Sequence, residues 1–182
     1  PSLAFRGVHL FTGKDAMPLQ RKLVERIFAR YKFNHLVLES DYTQWDTNPR
    51  LTVERTVPKD QIREYVKLAR ANFLEPIPLV QSLGHSEWMF TNGQNTDLAE
   101  DPKARYAYAV TNPNTYVFIE KIYDETLELF GPTKYFHIGH DEVKNIGDYP
   151  HRDDSKRWGV TKLFTYDVNK LHDFFKPKGV QV

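Results

Sequence analysis

The chain has 182 residues, 40% hydrophobic and 14% aromatic, enough to close a core and too apolar for a disordered segment. Its 25 basic and 24 acidic residues leave a net charge of +1, which argues against nucleic acid or an anionic membrane as a main partner. With no cysteine, neither a disulfide framework nor a thiolate metal site is available.

Short apolar runs alternate with amphipathic ones, the pattern of βα units on a parallel sheet. Leu3–Phe11 reads as a first strand. Pro18–Tyr31 reads as a helix, with Leu19, Leu23, Ile27 and Tyr31 on one face and Val24 and Phe28 beside them. Pro18 suits its first turn. His35–Glu39 is a second strand, and Pro58–Phe73 a second helix with Ile62, Tyr65, Val66, Ala69 and Phe73 inward. Ile77–Gln81 is a third strand. Residues 82–112 form a long connection rich in Asn, Thr and Gly, a length that is unusual unless the loop is functional. Asn112–Phe130 is a third helix, Tyr135–Gly139 a fourth strand and Thr161–Phe175 a fourth helix. Gly179–Val182 resembles the start of a fifth strand.

Four βα units and a strand stub amount to about half of a (β/α)8 barrel, whose usual size is ~250 residues. The fold expected is therefore α/β, a partial barrel of the TIM type, with residues 1–182 as a single domain. An open doubly wound sheet is the alternative, although no Gly-rich phosphate fingerprint follows the first strand. A barrel ending at Val182 would expose an open edge, to be covered by a second copy or by a complementing C-terminal half. The chain begins at Pro1 without an initiator Met, as expected of a processed piece. No apolar run approaches the ~20 residues needed to span a bilayer, and no signal peptide is legible. The compartment stays open: the lack of cysteine fits a reducing cytosol, which is slightly favoured, and does not exclude export.

The chemistry concentrates in Tyr135-Phe136-His137-Ile138-Gly139-His140-Asp141-Glu142-Val143. An apolar, β-prone run ends in two adjacent carboxylates. In an α/β barrel the reactive groups stand where strands end, on the C-terminal face. Two acids in one cleft can hold different protonation states and so divide the roles of charge stabiliser and proton donor. The same pair could equally cap a helix or face solvent at the start of a loop. Glu39 and Asp41 end the second strand on the same barrel face, where they reach a sugar hydroxyl or cap the next segment. Tyr42, Trp45, Trp88 and Phe90 lie in the following loops and either stack on a sugar or pack those loops. A metal site is disfavoured, because His137 and His140 point to opposite sides of an extended strand. No cofactor is expected.

His137-Ile138-Gly139-His140-Asp141-Glu142-Val143 resembles the signature H-[LI]-G-G-D-E-[VW] of glycoside hydrolase family 20, the β-N-acetylhexosaminidases. The exception is His140, where the common form has Gly; variation there occurs in the branch resembling hexosaminidase D. Phe5-Arg6-Gly7 is similar to the family's R-G motif. Gly84-His85-Ser86-Glu87-Trp88 is similar to its P-G-H segment in the form found in that branch. The order and spacing agree over nearly the whole chain. Two departures stand out: many members have an Asp at the position of Phe11 and another at the position of Gln81.

The resemblance implies substrate-assisted hydrolysis of terminal β-linked GalNAc or GlcNAc. In it, Glu142 acts as general acid and then base, and Asp141 holds the 2-acetamido group. It further implies Arg6 donating to sugar hydroxyls at the non-reducing end. His85 and His137 would hold the acids in orientation. On placement alone, Trp88 and Glu39 are read as bordering the sugar, and His140 as lining the cleft or facing solvent. Each of these has a plainer reading. Arg6 would be a strand-end ion-pair partner, His85 a loop cap, His137 a satisfied core residue, and His140 a solvent-facing side chain. A non-catalytic carbohydrate-binding half-barrel is the alternative function.

Overall fold

A computed structural model describes residues 2–144 and 148–182; Pro1 lies outside it. In chain order the elements are β1 (Gly7–Phe11), α1 (Met17–Leu23), β2 (His35–Glu39), α2 (Lys59–Ala71), β3 (Glu75–Ser82), the hairpin β4 (Ala99–Asp101) and β5 (Ala104–Tyr108), α3 (Pro113–Phe130), β6 (His137–Gly139), α4 (Asp153–Trp158) and α5 (Val160–Phe175). β1, β2, β3 and β6 form a four-stranded sheet in that order. Every neighbouring pair is parallel. The register aligns Phe11, Glu39, Leu79 and His137 in one row across the sheet.

Alternation assigns the two faces of that sheet. Val8, Leu10, Leu36 and Leu38 point outward into a core shared with α1 and α2. A second core joins Val80 and Phe136 to α3 and α5 through Ile119, Ile122, Tyr123, Leu171 and Phe175. The opposite face carries His9, Phe11, Val37, Glu39 and His137, and it is open: Phe11 is 63% exposed.

Helix ends follow local chemistry. Asn112 caps α3 by accepting from the Asn114 N–H at 3.0 Å, with Pro113 in the first turn. Gly131, at φ 70°, ends that helix. α4 has almost no apolar stripe, so no periodicity marks it in the sequence. Asp153 and Asp154 in its first turn and Lys156 and Arg157 in its last complement the helix dipole.

Several expectations are corrected. Strand β1 begins at Gly7, not Leu3, because the Arg6 carbonyl already closes the ladder by accepting from the Asn34 and His35 N–H groups. Helix α1 runs into a π-turn over Val24–Phe28. The pair turns Met17, Gln20, Val24 and Phe28 inward and leaves Leu19, Ile27 and Tyr31 exposed. Its apolar arc is wider than the sheet it covers, and the opposite edge of that arc was expected inside. Phe73 lies beyond α2 at φ 63° and is exposed, while Leu74 takes the buried place. The connection 82–112 is not plain loop: it holds two 3-10 turns and the β4–β5 hairpin. The fifth-strand stub appears as a single parallel bridge, Tyr135 to Gln181.

Candidate active site

Strand β6 stops at Gly139 for a steric reason. Gly139 has φ 76°, and a β-carbon there would lie 1.9 Å from Gln81 Oε1. The chain then turns through two more left-handed residues, His140 at φ 76° and Glu142 at φ 53°. The loop after β3 faces this turn and carries Leu83 at φ 64° and His85 at φ 53°. Each such residue costs about 1–2 kcal/mol. A concentration of this strain on two touching loops is characteristic of functional sites.

The turn holds Asp141 and Glu142 in the open, with side chains 60% and 59% exposed. His85 stands between them. Its Nε2 is 3.2 Å from Glu142 Oε2 and 3.6 Å from Asp141 Oδ2. The His85 ring is set edge-on against Tyr106 at 5.0 Å, which fixes its plane.

His85 also lines a cavity of about 570 Å³ at the C-terminal ends of β1, β2 and β3, together with Phe11, Glu39, Asp41, Tyr42, Arg55 and Glu87. That volume lies within the usual ~300–1,000 Å³ of small-ligand sites. Arg55 is stacked 3.5 Å above the Tyr42 ring, presenting its planar fork to the cavity. Glu39 meets His9 Nε2 at 2.8 Å. Asp41 is buried and accepts from the Gln81 N–H at 2.8 Å. Burial holds the Asp41 carboxyl well above the usual carboxylate range, and the neighbouring Glu39 adds to the rise. The inner wall thus contains two neighbouring carboxyls, of which Asp41 is the one whose proton affinity is raised. His137 lies on the same face; desolvation and then the His9 ring lower its proton affinity, with Asp141 opposing them.

Comparison with known proteins matches residues 31–180 to the model of the glycosyl hydrolase family 20 catalytic domain. The chain belongs to glycosyl hydrolase family 20. Human hexosaminidase D is 32% identical over 98 residues, covering 54% of this chain and 20% of that protein. A β-hexosaminidase of Emericella nidulans is 27% identical over 205 residues, covering 95% of this chain and 32% of the relative. Among solved structures, the chitobiase of Flavobacterium johnsoniae superposes with a TM-score of 0.84 at 21% identity, covering 100% of this chain and 31% of that one. The chain therefore spans about a third or less of the length of these relatives. Its four parallel strands and flanking helices are a part of the (β/α)8 barrel.

Within this family 20 segment the candidate residues separate into those brought together and those not. Asp141, Glu142 and His85 converge, with Glu39 and His137 on the adjoining inner face. Arg6 does not join them. It precedes β1, at the N-terminal ends of the strands, and its guanidinium donates to the Leu3, Ala4 and Lys32 carbonyls. A five-residue strand separates it from the acids' end of the sheet by about 17 Å. Trp88 is 2% exposed, donates its indole N–H to the Gln81 carbonyl at 3.1 Å and packs on Phe118. It is a core residue and offers no face to a sugar. Trp45 and Phe90 are likewise core residues, and of the four loop aromatics only Tyr42 lines the cavity.

His140 neither faces solvent nor lines the cleft. Its side chain is 5% exposed and turns outward, with Nε2 2.6 Å from Asp167 Oδ2 on α5. The left-handed backbone at His140 breaks the strand's alternation and so redirects the ring. Sequence reading passed over His9, Arg55 and Asp167. The first shares a face with Phe11 by period two. The last is a lone acid in the apolar series Leu163, Asp167, Leu171, a signal that was available. Arg55 had none, because its place above Tyr42 depends on how the loop after β2 folds back. Among the described residues, no group of three or more His, Asp or Glu is arranged to hold a metal ion.

Proposed function

We propose that the protein to which this chain belongs is a retaining β-N-acetylhexosaminidase that removes terminal β-linked GlcNAc or GalNAc by substrate-assisted catalysis. The observation that carries this reading is the pair Asp141–Glu142 held open at a strand end with His85 Nε2 3.2 Å from Glu142. The substrate's acetamido oxygen attacks the anomeric carbon as the glycosidic C–O bond breaks. Glu142 delivers its proton to the departing oxygen. Asp141 accepts the acetamido N–H and offsets the positive charge of the oxazolinium that forms. Glu142, now ionised, takes a proton from water as that water opens the ring, which restores the β configuration. His85 keeps the Glu142 carboxyl aimed at the leaving oxygen, and Glu39 and His137 border the sugar.

Hydrolysis of 4-nitrophenyl N-acetyl-β-glucosaminide and -galactosaminide tests it, with Glu142→Gln as control. Glu142→Gln is expected to slow these activated aryl substrates less than an alkyl N-acetyl-β-hexosaminide, whose poor leaving group depends on the acid. Equal loss for good and poor leaving groups would remove Glu142 as the acid.

The open inner face of the sheet, with Phe11 63% exposed, favours a second reading of how the site is completed. In it, a second copy or a complementing half-barrel covers that face, and the chain alone binds carbohydrate without turning it over. Solution mass as a function of concentration, with and without such a partner, decides between the two.

A further inference from the structure

Behind the Asp141–Glu142 turn lies a second, fully buried polar cluster. Asp167 has 0% exposure. Its Oδ1 accepts from the Tyr116 hydroxyl at 2.6 Å, and its Oδ2 accepts from the Tyr108 hydroxyl at 2.8 Å. Burial first, and then the charge of Asp167, push both phenols up, so each remains an O–H donor to the carboxylate. The remaining lone pair of Oδ2 faces His140 Nε2 at 2.6 Å. A buried carboxylate with acceptor-only chemistry requires a proton on that nitrogen.

The other ring nitrogen is equally constrained. His140 Nδ1 lies 2.9 Å from Ser82 Oγ and 3.2 Å from the Ile138 carbonyl oxygen. The Ser82 hydroxyl also reaches that same carbonyl. Both ring nitrogens of His140 are thus engaged, Nε2 by Asp167 on α5 and Nδ1 by Ser82 and Ile138 on the sheet.

We infer that the contact between His140 and Asp167 is a strap holding the Asp141–Glu142 turn against α5. His140 and Asp167 are positioning residues, an assignment that rests on reading Asp141 and Glu142 as the catalytic carboxylates. A glycine would adopt φ 76° without strain. What His140 adds at this place is a side chain that reaches across to a helix. The strap fixes the back of the turn. A catalytic pair held that way stays aimed between turnovers.

The test has two independent arms. In the first, amide hydrogen exchange of the chain and of the isosteric Asp167→Asn variant is compared at pH 7. The Glu142 amide exchanging at least about tenfold faster in the variant is expected. Unchanged exchange at Glu142 overturns the strap. In the second, Asp167→Asn and His140→Gln each lower kcat on the aryl N-acetylhexosaminide about tenfold or more while KM stays within about threefold. The double variant is no worse than either single one. Additive losses, or losses confined to KM, contradict positioning. The exchange arm needs no turnover. An inactive protein whose Glu142 amide responds to Asp167→Asn would count against the hexosaminidase reading alone.

Discussion

Gly84 and Asp141 meet backbone to backbone: a β-carbon on Gly84 would stand 2.2 Å from the Asp141 carbonyl oxygen and 3.2 Å from the Val143 amide nitrogen. This contact joins the loop bearing His85 to the turn bearing both acids. Gly84→Ala must push the two apart. The expected result is a loss of about 1–3 kcal/mol in stability from overpacking. Hydrolysis of 4-nitrophenyl N-acetyl-β-glucosaminide should fall further than the change in Tm explains, because the His85–Glu142 distance opens. A variant that keeps full activity would show that the loops adjust independently.

Two glycines with similar backbones should respond unequally to alanine. Gly139 and Gly179 have φ 76° and 71°, but only Gly139 has a neighbour in the way, Gln81 Oε1 at 1.9 Å from a built β-carbon. Gly179→Ala should cost about 1–2 kcal/mol, the left-handed penalty alone. Gly139→Ala should add about 1–3 kcal/mol of overpacking. Urea unfolding of both variants reads the difference; equal midpoints would contradict the close approach of β6 to Gln81.

Trp88 separates packing from recognition. As a core residue, Trp88→Ala should cost about 3–5 kcal/mol. Saccharide affinity, measured by titration well below the midpoint of unfolding, should change no more than the folded fraction does. A large loss of affinity in a stably folded variant would return Trp88 to the binding surface.

Glu125 makes folding acid-sensitive. Its carboxylate, 6% exposed, accepts from the Asp46 N–H at 2.6 Å and the Thr47 N–H at 3.2 Å and pairs with Lys59. Burial alone would raise it. The bonds from Lys59, Thr47 and Asp46 outweigh that and hold it below the usual range. The folded protein therefore binds this proton less readily than the unfolded chain. The stabilisation is present above the unfolded value of about 4.3 and is lost as pH falls through the lower folded value. Glu125→Gln should lower stability at neutral pH by about 1–3 kcal/mol, because it weakens the bonds from Asp46 and Thr47 and leaves Lys59 with Asp46 as its remaining partner. It should also flatten the loss of stability below about pH 5. Urea midpoints of both proteins across that range check the slope; parallel slopes would assign the acid sensitivity to other groups.

The strand and helix pattern was legible wherever one face of an element is uniformly apolar. His35–Glu39 matches its expected bounds, and the helix over Pro113–Phe130 matches to one residue, because period and caps agree there. Legibility failed where apolar residues occupy more than one face, as in α1. It also failed where charge pairing and turn chemistry replace apolar pattern, as in α4 and the β4–β5 hairpin. Within the candidate site, Asp141, Glu142 and His85 were visible as motif residues. Arg6 and Trp88 were visible too, but nothing local to them reveals which end of the sheet, or which side of a loop, they occupy.

Sequence alone determined the periodicities, the alternation of strands with helices, and the run that ends in two carboxylates. These are properties of neighbours along the chain, set by side-chain spacing and backbone preference. Tertiary structure decided the direction of each side chain at the site. Left-handed turns at His85, His140 and Glu142 break every simple period, and they persist only because distant groups hold them. Asp167, 27 residues beyond His140, sends that ring outward, and Gly84, 57 residues before Asp141, lets the two loops touch.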